Sequence, residues 1–240
     1  GRMDEYLEKY NRSIEEPEEF WSEMAQNFHW FKSWKEVRSY NYDMDRSPVD
    51  VKWFAGAKTN VCYNCVDRHL EVRPDKTAII WEGNEPGEDS TISFRNLHIQ
   101  VCKFANVLKN RGVKKGDRVS IYMPMVMEAT IAMLSCARIG AVHSVVFGGF
   151  SAEALADRIV DSNCKTLITA NGTFRGPKAI PMKPNADQAM ESASNQMSDE
   201  VETCIVVRRV EEDSGIECTM KEGRDLWWDE AMAEAKEKCP

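Results

Sequence analysis

The sequence predicts an α/β fold, a parallel βαβ sheet flanked by helices, with a helical, aromatic N-terminal arm and a β-hairpin ahead of it. Three features carry that expectation. Between Val119 and Thr169, short apolar runs alternate with segments of helical period, the pattern of parallel strands joined by covering helices. Apolar residues make up 42% and charged residues 29% of the 240, so a chain this long buries a sizeable core without disulfide or metal staples. Aromatic residues crowd the first 34 positions, which calls for packing rather than a floppy tail.

The elements follow in order. Residues 4–24 are strongly acidic, yet Phe20, Trp21, Met24, Phe28, Trp30, Phe31 and Trp34 come in quick succession and are expected to be buried. Pro17 opens a helix whose positive end meets Glu18 and Glu19 and which stops near Asn27. A helical stretch is expected from Asn60 to Leu70, then a turn at Arg73-Pro74-Asp75. Thr77 to Trp81 and Thr91 to Phe94 read as hairpin strands around a loop holding Gly83, Pro86 and Gly87. Ser93 caps a helix to about Asn110, with Leu97, Val101, Phe104, Ala105 and Leu108 on one face and Gly112 as the stop.

Next come a strand from Val119 to Met123, a helix from Met125 to Ile139, a strand from Val142 to Phe147, a helix from Ala152 to Asn163 and a strand from Thr166 to Thr169. The first of these helices is apolar nearly all round and should be sandwiched. The second turns Leu155, Ala156, Ile159 and Val160 inward and Glu153, Asp157 and Asp161 outward. A strand from Cys204 to Val207 and a helix around Leu226 to Ala235 continue the alternation. Two parts are expected: an arm over 1–59, and the first part of a larger α/β domain over 60–240.

Charge and composition narrow the function. The net charge is −8, so phosphate backbones and anionic membranes meet no global attraction, and neither nucleic acid nor membrane is expected as a partner. The longest apolar stretch, Met125 to Phe150, is interrupted by Glu128, Arg138 and His143, which excludes a spanning helix. Gly1-Arg2 before Met3, with no apolar segment behind it, reads as a cloning remnant rather than a signal peptide. The eight cysteines are scattered through periodic segments, as reduced thiols are, so a cytoplasmic location is expected, with nucleus and mitochondrion as alternatives.

Three constellations could carry chemistry. Cys62-x-x-Cys65-x-x-x-His69 puts three ligand types on one helical face, but structural zinc wants four, so no metal site is expected. Phe147-Gly148-Gly149-Phe150-Ser151 joins a strand end to a helix start, where bare backbone can approach an anion; the bland alternative is a tight turn. Lys165, Arg175, Lys178 and Lys183 fall in a run with no acidic residue, and Asn171 to Lys178 follows a strand end as a loop held by Gly176 and Pro177. This reads as an anion site or as a solvated loop. No Ser/His/Asp or Cys/His nucleophile and no carboxylate pair is legible, and His29, His98 and His143 read as structural.

Several blocks together resemble the N-terminal part of the AMP-forming acetyl-CoA synthetases, in the adenylate-forming ligase superfamily. They are Phe20-Trp21, Val51-Lys-Trp-Phe54, the run from Asn60 to His69, Ile121-Tyr-Met-Pro-Met125, the run from Ala137 to Ser151, and Ala156-Asp-Arg-Ile159. The resemblance begins at about Ile14. It implies a ligase that makes acetyl-adenylate from acetate and ATP with Mg, then passes the acetyl group to coenzyme A. It assigns Phe147, Gly148 and Gly149 to the adenine end of CoA, and Arg175, Gly176, Pro177 and Lys178 to its 3′-phosphate; Lys178 stands where the family often has a second Arg. It places no catalytic residue here, since the family's phosphate loop, adenine and ribose motifs, acetate pocket and catalytic lysine have no counterpart in these residues. The expectation is therefore an N-terminal fragment carrying part of a CoA site, inactive alone and binding no metal, whose parent acts on acetate, ATP and CoA. A propionate or other short-acyl CoA ligase is the alternative within enzymes. A non-catalytic anion- or nucleotide-binding module is the alternative outside them.

Overall fold

A computed structural model describes residues 1–211 and 214–240, which divide into two compact units, Gly1–Asn64 and Cys65–Pro240. In the first unit α1 (Arg2–Glu15) meets α2 (Pro17–Ala25), where Pro17 takes the first helical turn and Glu18 and Glu19 follow it. The antiparallel pair β1 (Glu36–Asn41) and β2 (Asp50–Ala55) was not legible in the sequence. The expected burial of the aromatic run is corrected. Only Phe20 is fully buried, whereas Trp21, Phe28 and Phe31 are 42%, 57% and 59% exposed. Most of the rings pack on one another instead: Trp30, Trp34 and Phe54 form a triangle with centroids 5.2–5.3 Å apart, and Phe31 lies 5.0 Å from Tyr63. Edge-to-face contact of this kind is favourable without an enclosing core.

The expected helix from Asn60 to Leu70 is also corrected. It breaks after α3 (Val61–Cys65), and a 3-10 turn follows over Asp67–His69. Cys62, Cys65 and His69 therefore share no continuous helical face. His69 Nδ1 accepts from Arg73, and its ring packs on Phe94.

The second unit opens with the hairpin β3 (Thr77–Glu82) and β4 (Asp89–Ser93), and Ser93 caps α4 (Phe94–Asn110) by accepting from the Asn96 N–H. β5 (Arg118–Met123), α5 (Met127–Ile139), β6 (Val142–Phe147), α6 (Ala152–Ser162) and β7 (Thr166–Ala170) then alternate as expected. The helix α5 starts two residues late, because Val126 is extended and leaves Met125 91% exposed. No residue of α5 is exposed, as an all-round apolar surface requires.

The remaining elements are β8 (Gly172–Arg175), β9 (Lys178–Pro181), α7 (Lys183–Ser194), β10 (Thr203–Val207), β11 (Asp225–Trp227) and α8 (Trp228–Ala233). Leu226 and Trp227, expected in a helix, are strand. They pair with Ile205 and Val206, which satisfies backbone groups along the edge of a fully buried strand.

The sheet order is β11-β10-β7-β5-β6, all parallel. The chain steps outward from β5 to β6 and back across β5 to β7. Right-handed crossovers then place α5 and α6 on opposite faces, and α4 packs on α5 while α6 packs on α7. A crevice opens at such a reversal, beyond the carboxyl ends of β5 and β7.

Two charged clusters stiffen this unit. Lys183, fully buried, binds Asp187 at 2.7 Å, the fully buried Asp225 at 2.8 Å and the Thr219 carbonyl at 2.9 Å, and Arg224 grips both carboxylates. The other joins Asp67 to Arg138 by a two-oxygen contact at 2.9 Å and to His98 at 3.4 Å, with Cys102 Sγ 3.5 Å from the same imidazole nitrogen. His98 is pushed up to about 9, chiefly by its hydrogen bond to Asp67 and then by Cys102, against burial.

An imidazolium whose ordinary pKa is 6.5 contributes stability in full below pH 6.5 and loses it as the pH rises through 9. Cys102 titrates with the opposite sign: burial opposes ionisation, but His98 and Arg138 prevail and lower its pKa. In a Cys102→Ala background, where Asp67 alone raises the imidazole, His98→Ala should therefore cost on the order of 1 kcal/mol more at pH 6 than at pH 10, after allowance for solvent screening. Urea unfolding at both pH values checks this, and a cost independent of pH would contradict it.

Candidate functional site

The candidate site lies at the carboxyl ends of β5 and β6, where the chain turns into α6 through Gly148 and Gly149. Ser151 caps that helix by accepting from the Ala154 N–H at 3.3 Å, which fixes where the turn ends. Both glycines sit in close contact, and at Gly148 the neighbour is backbone that cannot swing aside. A Cβ on Gly148 would sit 2.9 Å from the Met123 carbonyl oxygen, and one on Gly149 would sit 2.6 Å from the Phe147 ring and 3.2 Å from Arg175 Nη2. The turn is thus bare backbone pressed between a strand end, a ring and a guanidinium.

The segment after β7 is not the loop the sequence suggests. Gly172 to Arg175 and Lys178 to Pro181 pair antiparallel as β8 and β9, with Arg175 opposite Lys178 across a two-residue turn. Gly176 has φ +54° at the first turn position, a conformation glycine adopts without strain. Arg175 and Lys178 are both exposed on this hairpin, and neither has an ion-pair partner among the described residues. The other two cations of the acid-free run are already paired: Lys165 with Asp199 and Glu202, Lys183 within the buried cluster. The charge inversion seen in the sequence therefore reduces, in space, to the hairpin tip.

Between the turn and the two hairpins lies a cleft of about 440 Å3, and its walls include Trp81, Met125, Phe147, Phe174, Arg175 and Arg209. Phe147, Gly148, Gly149 and Arg175 come together there, whereas Gly176, Pro177 and Lys178 lie at the tip, outside the lining. The arrangement suits a flat ring over Gly148 and Gly149 and an anion against Arg175. Sequence reasoning missed Trp81, Phe174 and Arg209. Arg209 was within reach of the rule that such sheets bind beyond their strand ends, since it follows β10 by two residues. Nothing local marks Trp81, whose indole N–H donates to the Met125 carbonyl at 2.7 Å. A second cleft, of about 330 Å3 at the amino ends of the strands, is also basic. Its arginines already donate to backbone carbonyls: Arg111 to Gly223, Arg118 to Ser162 and Asn163.

Comparison with known proteins bears on the same region. Residues 66–239 match the AMP-binding enzyme family, and residues 6–65 match the acetyl-coenzyme A synthetase N-terminus. The chain belongs to the AMP-binding enzyme family. Among its relatives, the acetyl-coenzyme A synthetase of Desulfatibacillum aliphaticivorans is 52% identical over 98% of this chain and 34% of that protein. The acetyl-coenzyme A synthetase of Magnetococcus marinus is also 52% identical, over 99% of this chain and 35% of that protein. The chain thus spans about a third of the length of the curated relatives it matches. A solved acetoacetyl-CoA synthetase from Streptomyces lividans superposes with a TM-score of 0.79 at 23% identity, over 94% of this chain and 32% of that one, which establishes a shared fold. Among the described residues, no helix is long and apolar enough to cross a membrane.

Proposed function

We propose that this chain supplies the site for the nucleotide end of coenzyme A in an AMP-forming acetate–CoA ligase. In that reaction acetate attacks ATP, held with Mg, to give acetyl-adenylate and pyrophosphate; the CoA thiol then takes the acetyl group and AMP departs. The observation that carries the reading is Arg175, an unpaired guanidinium that reaches across Gly149 on the wall of an apolar cleft. Phe147 with Gly148 and Gly149 offers a surface for adenine, and Arg175 with Lys178 offers charge for the 3′-phosphate. The family resemblance assigns none of these groups to ATP or acetate, and this stretch alone is expected to turn over neither. The eight cysteines are all free thiols, which favours a reducing compartment such as the cytoplasm.

Calorimetric titration with CoA and with 3′-dephospho-CoA at low salt tests the assignment. CoA should bind at least about tenfold more tightly, the factor one charge-assisted contact gives. No AMP should form from ATP, acetate and CoA. Equal affinity for the two ligands would refute the phosphate site, and reproducible turnover abolished by substitutions within this chain would refute its inactivity.

A further inference from the structure

The tip of the β8–β9 hairpin is braced by the β3–β4 hairpin, 92 residues away along the chain at its closest contact. Asn84 Nδ2 donates to the Gly176 carbonyl at 2.7 Å, in the turn that separates Arg175 from Lys178. Asn84 is itself held from below. One oxygen of Glu88 accepts the Asn84 N–H at 2.7 Å and the Glu85 N–H at 3.3 Å, and the other pairs with Arg209 at 2.7 Å. Glu88 folds so closely over the loop that a Cβ on Gly83 would collide with its carboxylate. Those backbone hydrogen bonds, foremost the one from Asn84, outweigh burial and keep Glu88 ionised below the ordinary carboxylate range. Arg209, finally, lies 5.5 Å from the Trp81 ring centre and 4.8 Å from that of Phe174, a cation between the facing walls of the cleft. A continuous chain of contacts therefore runs from Arg209 through Glu88 and Asn84 to the hairpin tip.

We propose that Asn84 and Glu88 are positioning residues that hold the Gly176 turn, and with it Arg175, at the angle from which the cleft meets the ligand's phosphate. The inference rests on the CoA reading above for the identity of the ligand, but the brace stands on geometry alone. Without Asn84, the two-residue turn keeps its own short ladder but loses its hydrogen bond to the facing hairpin, and Arg175 samples orientations away from the cleft. An anion is then met by a mobile cation, and part of the binding free energy goes into ordering it.

The test uses this chain and three measurements. Hydrogen exchange of the 172–181 segment should quicken in Asn84→Ala without a change in melting temperature, because Asn84 is an exposed loop residue. The preference for CoA over 3′-dephospho-CoA should fall roughly fivefold, the factor one net hydrogen bond gives, while dephospho-CoA binding stays the same. Asn84→Asp should be worse than Asn84→Ala, since it turns an acceptor toward the Gly176 carbonyl. A merely structural asparagine would weaken both ligands equally, and that result, or unchanged exchange over 172–181, overturns the brace. If Arg175→Glu leaves the preference for CoA intact, or the unsubstituted chain does not bind CoA, the functional reading fails instead, and the exchange measurement alone then decides whether the brace exists.

Discussion

Arg175→Glu should weaken CoA binding by about 2–3 kcal/mol, a factor of roughly 30 to 160, because it removes a charge-assisted contact and puts a carboxylate in its place. Binding of 3′-dephospho-CoA should change several-fold at most, so the substitution erases the discrimination between the two ligands. Lys178→Glu should do less, since Lys178 lies outside the cleft lining and an ammonium has no planar fork to lose. Both effects should shrink as salt rises, for the tip is open to solvent. In a protein of the relatives' full length, acetate-dependent pyrophosphate exchange into ATP needs no CoA and should stay normal in both variants. Equal loss of exchange and of thioester formation would mean that the hairpin supports the fold or the adenylation site, and the CoA assignment would fall.

Lys183→Ala should cost about 3–5 kcal/mol of stability, since it breaks a buried charge pair. Lys183 and Asp225 are both fully buried, and removing the ammonium leaves two carboxylates facing one another with Arg224 as their main counterion. Lys183→Ala/Asp225→Asn should recover a good part of the loss, because the second substitution removes the uncompensated charge. Lys165→Ala is the control. Its partners Asp199 and Glu202 are exposed, and such pairs contribute under about 1 kcal/mol. Urea unfolding of the four proteins measures this, and a loss below about 1 kcal/mol for Lys183→Ala would show that water or local rearrangement replaces the ammonium.

The contrast between Lys165 and Lys183 shows where local reading stops. Both stood in an acid-free run and looked alike, yet Lys165 finds Asp199 and Glu202, and Lys183 finds Asp225 as well as Asp187 one helical turn on; all but Asp187 lie beyond any local window. The same limit hid the β1–β2 hairpin, whose strands lack clean alternation, and made a strand out of Leu226 and Trp227, where pairing with β10 overrode a helical pattern. It also explains the exposed rings of the arm: density of aromatics demands contact, and ring-on-ring contact met that demand without full burial.

What the sequence determined by itself was the alternation from β5 to β7. Strand runs, helical periods, the Ser93 cap and the stop at Gly112 are all set by neighbours a few residues apart, so backbone preference and burial pattern agree there. It also marked Phe147, Gly148, Gly149 and Arg175, because bare backbone at a strand end and an unbalanced cation are visible without a fold. Only the tertiary structure decided that these four share one cleft, that Trp81, Phe174 and Arg209 wall it, and that Asn84 steadies its charged edge. The reason is physical. A cleft consists of distances between segments that are far apart in the chain, and those distances are fixed by strand order and crossover hand, which no local run of residues encodes.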